Sequence, residues 1–111
     1  MGITKTALFT DKQNQLAKVA KVLAHPARIA IIDYLIRANT CINGELVNNL
    51  GLAQPTISQH LRELKDIGII KGSIEGASIS YCIDSVRWRE IQQSFEALFN
   101  RFSDLPEENC C

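Results

Sequence analysis

Apolar positions recur at helical spacing through the first forty residues. In "KQNQLAKVAKVLA", residues 12–24, Leu16, Val19, Ala20 and Leu23 fall on one side, and Asp11 stands where an N-cap is expected. His25-Pro26 breaks that run, and Pro26 suits the first turn of a second helix, "PARIAIIDYLIRA". Its apolar set, Ile29, Ile31, Ile32, Leu35 and Ile36, is wider than a surface stripe, which predicts a central helix. "NTCIN" reads as a short extended link, and Asn43 as the cap of a short helix, "GELVNNL", with Leu46, Val47 and Leu50 inward. Gly51 ends it. From Gln54 to Ile67 the spacing predicts another helix, with Ile57, Leu61 and Leu64 inward. After Gly68 the period drops to two. Ile79, Tyr81 and Ile83 alternate with Ser78, Ser80 and Cys82, and Gly72 and Gly76 punctuate the stretch, as in a β-hairpin. A long amphipathic helix, "SVRWREIQQSFEALFNRF", closes the pattern with Trp88, Ile91, Phe95, Leu98, Phe99 and Phe102, and Ser85 as its expected cap.

Two short helices joined by a glycine turn and followed by a hairpin make a winged helix-turn-helix, mainly α with a β-hairpin wing. Across the 54–67 helix from its apolar side, successive steps of about 100° carry Thr56, Ser58, Gln59, Arg62 and Glu63 outward. Hydroxyl, amide and guanidinium groups match the hydrogen-bonding edges of bases and phosphates in a major groove, so that face points to double-stranded DNA. Taken without its neighbours it reads equally well as an ordinary solvated face. The turn before it and the hairpin after it favour DNA.

The totals bound this reading. At 111 residues the chain makes one domain. It divides into N-terminal helices over 11–38, the helix-turn-helix over 43–67, a wing over 69–84, a last helix over 85–102 and a flexible Cys-ending tail over 103–111. Basic and acidic residues balance at twelve each, so no global field announces a polyanion. The distribution is uneven: residues 1–40 hold six basic and two acidic side chains, and residues 86–111 hold three and five. No apolar run approaches the roughly 18 residues of a membrane span, and "MGITKTALFTDKQNQ" lacks the apolar core of an export signal. Neither end supports lipidation. The expectation is a cytoplasmic protein with no membrane partner. Four cysteines there stay reduced, and Cys41, Cys82, Cys110 and Cys111 show no C-x-x-C or finger spacing.

The stretches "LAHPARIAIIDYL", "GELVNNLGLAQPTISQHLRELKDIGII" and "EGASISYCI", with the long helix after them, resemble the ArsR/SmtB family of winged-helix metalloregulatory repressors, arsenic-responsive type. The resemblance spans about residues 16–102. It implies a homodimer formed through the first and last helices, bound to operator DNA until a metal or metalloid ion releases it. It places Gln54, Thr56, Ser58, Gln59, His60 and Arg62 at recognition-helix positions, with Lys65 and Lys71 as phosphate contacts. His60 lies beside the apolar arc, so a packed imidazole is as good a reading as a base contact. The aromatic last helix also exceeds what so short a chain needs for its own core, which fits a partner surface.

The effector is read from departures within that resemblance. Where one family site has a "C-V-C" box, this chain reads "TCINGELVNNL", with the single Cys41. The last helix has no histidine, which disfavours an imidazole site for zinc or nickel. Thiolate remains. Winged-helix folds pair the link before the helix-turn-helix with the second wing strand, which would bring Cys41 near Cys82. Cys110 and Cys111, on the tail after Pro106, could fold back to the same place. Sulfur-only ligation suits soft ions, As(III) or Sb(III) first and Cd(II) or Pb(II) next, with no catalytic cofactor. Each cysteine alone has a plainer reading, as a small buried hydrophobe, an incidental strand residue or a tail thiol. Within the regulator class, the alternative is thiol redox or persulfide sensing.

An enzyme is not expected. The chain lacks G-x-S-x-G, a phosphate-cradling glycine loop, H-E-x-x-H and C-x-x-C. A winged helix used only for protein contact is the other alternative, and the polar outer face of residues 56–63 speaks against it.

Overall fold

A computed structural model describes residues 7–42, 50–73 and 80–102. Helix α1 runs over Asp11–Leu23, α2 over Pro26–Ala38 and α3 over Gln54–Asp66. Strands β1, Ile70–Ser73, and β2, Ser80–Ile83, follow, and α4, Ser85–Phe102, ends the described chain. The expected 44–50 helix with its Asn43 cap, the hairpin tip with Ile79, and the tail with Cys110 and Cys111 lie outside the described residues, Leu50 excepted.

Local chemistry sets the ends of these helices. Thr10, not Asp11, caps α1: its hydroxyl accepts from the Gln13 amide at 3.1 Å while the Gln13 side chain accepts from the Thr10 amide at 3.0 Å. Asp11 sits in the first turn, where its charge complements the helix dipole. His25 caps α2 ahead of Pro26, its Nδ1 accepting from the Ala27 amide at 3.3 Å. Asp84, not Ser85, caps α4, and its Oδ1 accepts from the amides of Val86 and Arg87 at 3.1 Å each. In both corrected cases two adjacent residues can cap, and the one left uncapped is the first residue of the helix itself.

The core gathers Ile31, Ile32 and Leu35 of α2, Ile57, Leu61 and Leu64 of α3, Ile69, Ile70 and Tyr81 of the hairpin, with Val19 of α1 and Ile91 of α4. Two apolar faces depart from expectation. Ala20 is exposed, and Val22 packs with Leu23 in its stead. Ile29 and Ile36, seven residues apart on one side of α2, remain about half exposed. The central helix is thus buried over an ordinary stripe.

β1 and β2 pair antiparallel, with Ile70 opposite Ile83, Lys71 opposite Cys82 and Gly72 opposite Tyr81. The other edge of β2 receives Ile42, which exchanges both main-chain hydrogen bonds with Tyr81, at 2.8 and 3.0 Å. The link before the helix-turn-helix is therefore stitched to the wing, and the fold is a winged helix-turn-helix. No helix among the described residues is long and apolar enough to cross a membrane.

Gly72 holds a backbone φ of 119°, and a Cβ there would collide with the Ser80 carbonyl oxygen and lie 2.9 Å from Tyr81 Cα. Gly72→Ala is therefore expected to cost about 1–3 kcal/mol from backbone strain alone, more with the collision. A fall in the urea midpoint of that variant measures it.

Candidate nucleic-acid interface and thiol pair

Helix α3 carries Pro55 in its first turn and stops at Asp66, and Gly68 beyond it, with a φ of 84°, lets the chain reverse. The Gly68 amide donates to Lys65 O at 2.9 Å and the Ile69 amide to Leu64 O at 3.2 Å, the paired bonds of a Schellman motif. Its inner side is buried through Ile57, Leu61 and Leu64. On the outer side Gln54, Thr56, Gln59 and Arg62 are exposed and Ser58 is half-buried.

Within that outer side the polar groups already hold one another. Gln54 Nε2 donates to Ser58 Oγ at 3.0 Å, Arg62 Nη1 to Gln59 Oε1 at 2.9 Å, and Gln59 Nε2 to Glu63 Oε2 at 3.1 Å. These exposed bonds exchange readily for water or for another polar edge. They set the Gln59 amide and the Arg62 guanidinium side by side, two side-chain types that can each pair bidentately with a purine edge.

Three other elements fix how α3 is presented. Arg28 of α2 donates through Nε to His60 Nδ1 at 3.1 Å and through Nη1 to Val22 O of α1 at 3.0 Å. Lys65 Nζ donates to Gly72 O at 2.7 Å, tying α3 to the wing. Arg87 of α4 donates through Nε to Ile67 O at 2.9 Å, occupying a carbonyl at the helix end. Sequence reasoning missed Arg28 and Arg87 as positioning residues. A basic residue inside an apolar helix signals Arg28, but nothing in the local pattern pairs Arg87 with a carbonyl twenty residues earlier.

His60 is buried to 7% exposure, its ring set edge-on to His25 with centroids 4.4 Å apart. The packed reading of this residue describes its place, and it does not share the outward face with Gln59 and Arg62. Lys65 is exposed but engaged with the wing backbone, and Lys71 is exposed at the start of the hairpin.

Burial lowers the His60 pKa below its usual 6.5, with His25 and Arg28 adding to the effect and Glu63 opposing it. The neutral ring is the form that accepts from Arg28. A histidine whose folded pKa is depressed contributes stability present above the unfolded pKa and lost as pH falls through the folded one. Stability to urea is thus expected to decline as pH drops below about 6.5, and to decline less in His60→Gln. Parallel unfolding curves at pH 7.5 and 5.5 check it.

The Ile42–Tyr81 bridge also positions thiols. Cys41 precedes Ile42 and Cys82 follows Tyr81, so the two flank that bridge on the same side and their thiols lie near one another. The neighbouring Cys41 thiol, followed by burial, raises the Cys82 pKa, and the Lys71 charge across the hairpin partly offsets it. Cys41 is exposed and Cys82 half-buried. Among the described residues no three His, Cys, Asp or Glu side chains gather around a metal-sized space, so these two thiols are an incomplete sulfur set for a three-coordinate ion. As a pair of soft donors they fit such an ion. The other candidate ligands, Cys110 and Cys111, lie outside the described residues.

Comparison with known proteins gives concordant matches. The model of a family described as bacterial regulatory protein, arsR family, matches residues 25–71. The chain is 32% identical over 98 residues to a biofilm growth-associated repressor of Agrobacterium fabrum, covering 88% of this chain and 80% of that protein. It is 31% identical over 96 residues to the HTH-type transcriptional regulator CmtR of Mycobacterium bovis, covering 86% and 80%. Among solved structures, Rv0081 of M. tuberculosis superposes with a TM-score of 0.61 at 27% identity, over 86% of this chain and 97% of that one.

Proposed function

The chain belongs to the arsR family of bacterial regulatory proteins, and we propose from this premise that it is a cytoplasmic, DNA-binding transcriptional repressor released from its operator by a thiophilic ion, arsenite or antimonite first. The observation that carries the DNA reading is the outer side of α3, where Gln59 and Arg62 stand exposed and mutually oriented. Three tethers, from Arg28, Lys65 and Arg87, hold that helix against α2, the wing and α4. Base edges would be met by Gln54, Thr56, Ser58, Gln59 and Arg62. Lys71 would reach phosphate, and Lys65 would do so by exchanging its bond to Gly72 O. The repressor role is taken from relatives so named.

The dimer belongs to the same reading. Leu98, Phe99 and Phe102 of α4 are exposed, as are Leu8 and Phe9 just before α1, and Phe95 stacks on Phe99 with centroids 6.4 Å apart. An apolar surface at both ends of the chain is what a second copy covers when first and last helices form the interface. A symmetric pair would then offer two α3 helices to successive turns of DNA. Phe99→Glu with Phe102→Glu is expected to convert a dimer to monomer, read by sedimentation, with operator binding weakened at least tenfold.

For the effector, the support is the placement of Cys41 and Cys82 beside the Ile42–Tyr81 bridge and the sulfur-only donor set. Cys110 or Cys111, from the same subunit or its partner, would complete three-thiolate ligation, which favours As(III) or Sb(III) over Cd(II) or Pb(II). An ion held there ties the link before the helix-turn-helix to β2 and to the tail. That biases the dimer away from its DNA-competent form by a coupling of about 1–3 kcal/mol. The test is near-ultraviolet thiolate absorption during arsenite titration of the reduced protein. One ion per subunit is expected, lost in Cys41→Ser, Cys82→Ser and the Cys110→Ser/Cys111→Ser pair. An absorption change that survives Cys41→Ser and Cys82→Ser would contradict the site.

A further inference from the structure

We propose that Cys41 and Cys82 are an oxidisable dithiol, closing to an intramolecular disulfide on exposure to a peroxide. The register supplies the geometry. Ile42 and Tyr81 exchange both main-chain hydrogen bonds in an isolated antiparallel bridge, and Cys41 and Cys82, one step beyond it on the same side, stand where continuing that bridge would make a facing, non-hydrogen-bonded pair. Such positions place Cα atoms about 4.5 Å apart with side chains on one face, inside the roughly 4.4–6.8 Å that a disulfide spans. The two thiols are near enough that Cys41 raises the pKa of Cys82. One is open to solvent and the other half-buried behind it, an arrangement of attacking and resolving sulfur.

With hydrogen peroxide as oxidant the step balances. The Cys41 thiolate sulfur attacks one peroxide oxygen, the O–O bond breaks, and the departing hydroxide takes up the thiol proton as water, leaving a sulfenic acid on Cys41. The Cys82 sulfur then attacks the Cys41 sulfur, the S–O bond breaks, and a second water leaves with the Cys82 proton. Two thiols and one peroxide become one disulfide and two waters. The bond would close a loop from residue 41 to 82 that encloses α3 and β1. If the ion reading above holds, the same bond withdraws two of the donors, so oxidation would also silence the response to arsenite; that consequence, unlike the disulfide, rests on that reading.

The experiment treats the reduced full-length protein with one equivalent of hydrogen peroxide, then alkylates and maps tryptic peptides. The expected product is peptide 38–62 joined to peptide 72–87, with two of the four cysteines still alkylated and the link reversed by dithiothreitol. It is expected to persist in Cys110→Ser/Cys111→Ser and to vanish in Cys41→Ser and in Cys82→Ser. A link from Cys41 to the tail, a Cys110–Cys111 bond, a link between subunits, or sulfinic acid at Cys41 in place of the cross-link would each overturn the proposal. Indifference of the reduced protein to arsenite would retire the ion reading and leave a mapped Cys41–Cys82 bond standing.

Discussion

Leu64→Ala is expected to lower unfolding stability by about 2–5 kcal/mol, the range for emptying a fully packed leucine site. Leu64 has no exposed surface and lies in the cluster with Ile57, Leu61 and Ile70, at the point where α3 meets β1. Its carbonyl also accepts the Ile69 amide in the turn that directs the chain into the wing. The cavity would therefore open between the reading helix and the hairpin that flanks it. A small domain holds only about 5–15 kcal/mol in all, so the variant should lie near its unfolding threshold at growth temperature. Chemical denaturation followed by circular dichroism gives the number, and a change under about 1 kcal/mol would mean that the site collapses around the gap.

The second large effect concerns DNA. Gln59→Ala together with Arg62→Ala is expected to weaken operator binding by at least tenfold while leaving the urea midpoint nearly unchanged. Both side chains are exposed, and their bonds to one another and to Glu63 contribute little to stability. A bidentate base contact is worth about 1–3 kcal/mol of discrimination, so the loss should be larger for the specific duplex than for scrambled DNA. Equal loss on both duplexes would assign these residues to phosphate rather than base edges.

Much of this arrangement was legible in the sequence because burial imposes period. The spacing of Ile57, Leu61 and Leu64 placed α3 and its outward side, and alternation around Tyr81 placed β2. The link that pairs with β2, and with it the meeting of Cys41 and Cys82, followed from the winged-helix topology. What period alone does not carry is which face finds a neighbour. Ile29 and Ile36 are as apolar as Ile31 and Ile32, yet nothing in the described residues covers them. Capping was misplaced by one residue at Asp11 and at Ser85, because each has a polar neighbour, Thr10 or Asp84, one step outside the helix. His60 shows the limit at an arc's edge: one turn decides between groove and core, and Arg28, thirty-two residues away, decides it by offering a donor. The Arg87 tether to Ile67 O is tertiary throughout and leaves no local trace.

The most direct test of the central claim is fluorescence anisotropy of the reduced protein on its own promoter duplex, titrated with arsenite and separately with zinc. The account predicts tight, salt-dependent binding, release by arsenite and not by zinc, and no release in the Cys41→Ser/Cys82→Ser protein. Binding that ignores arsenite, or release that persists without those two cysteines, would contradict it.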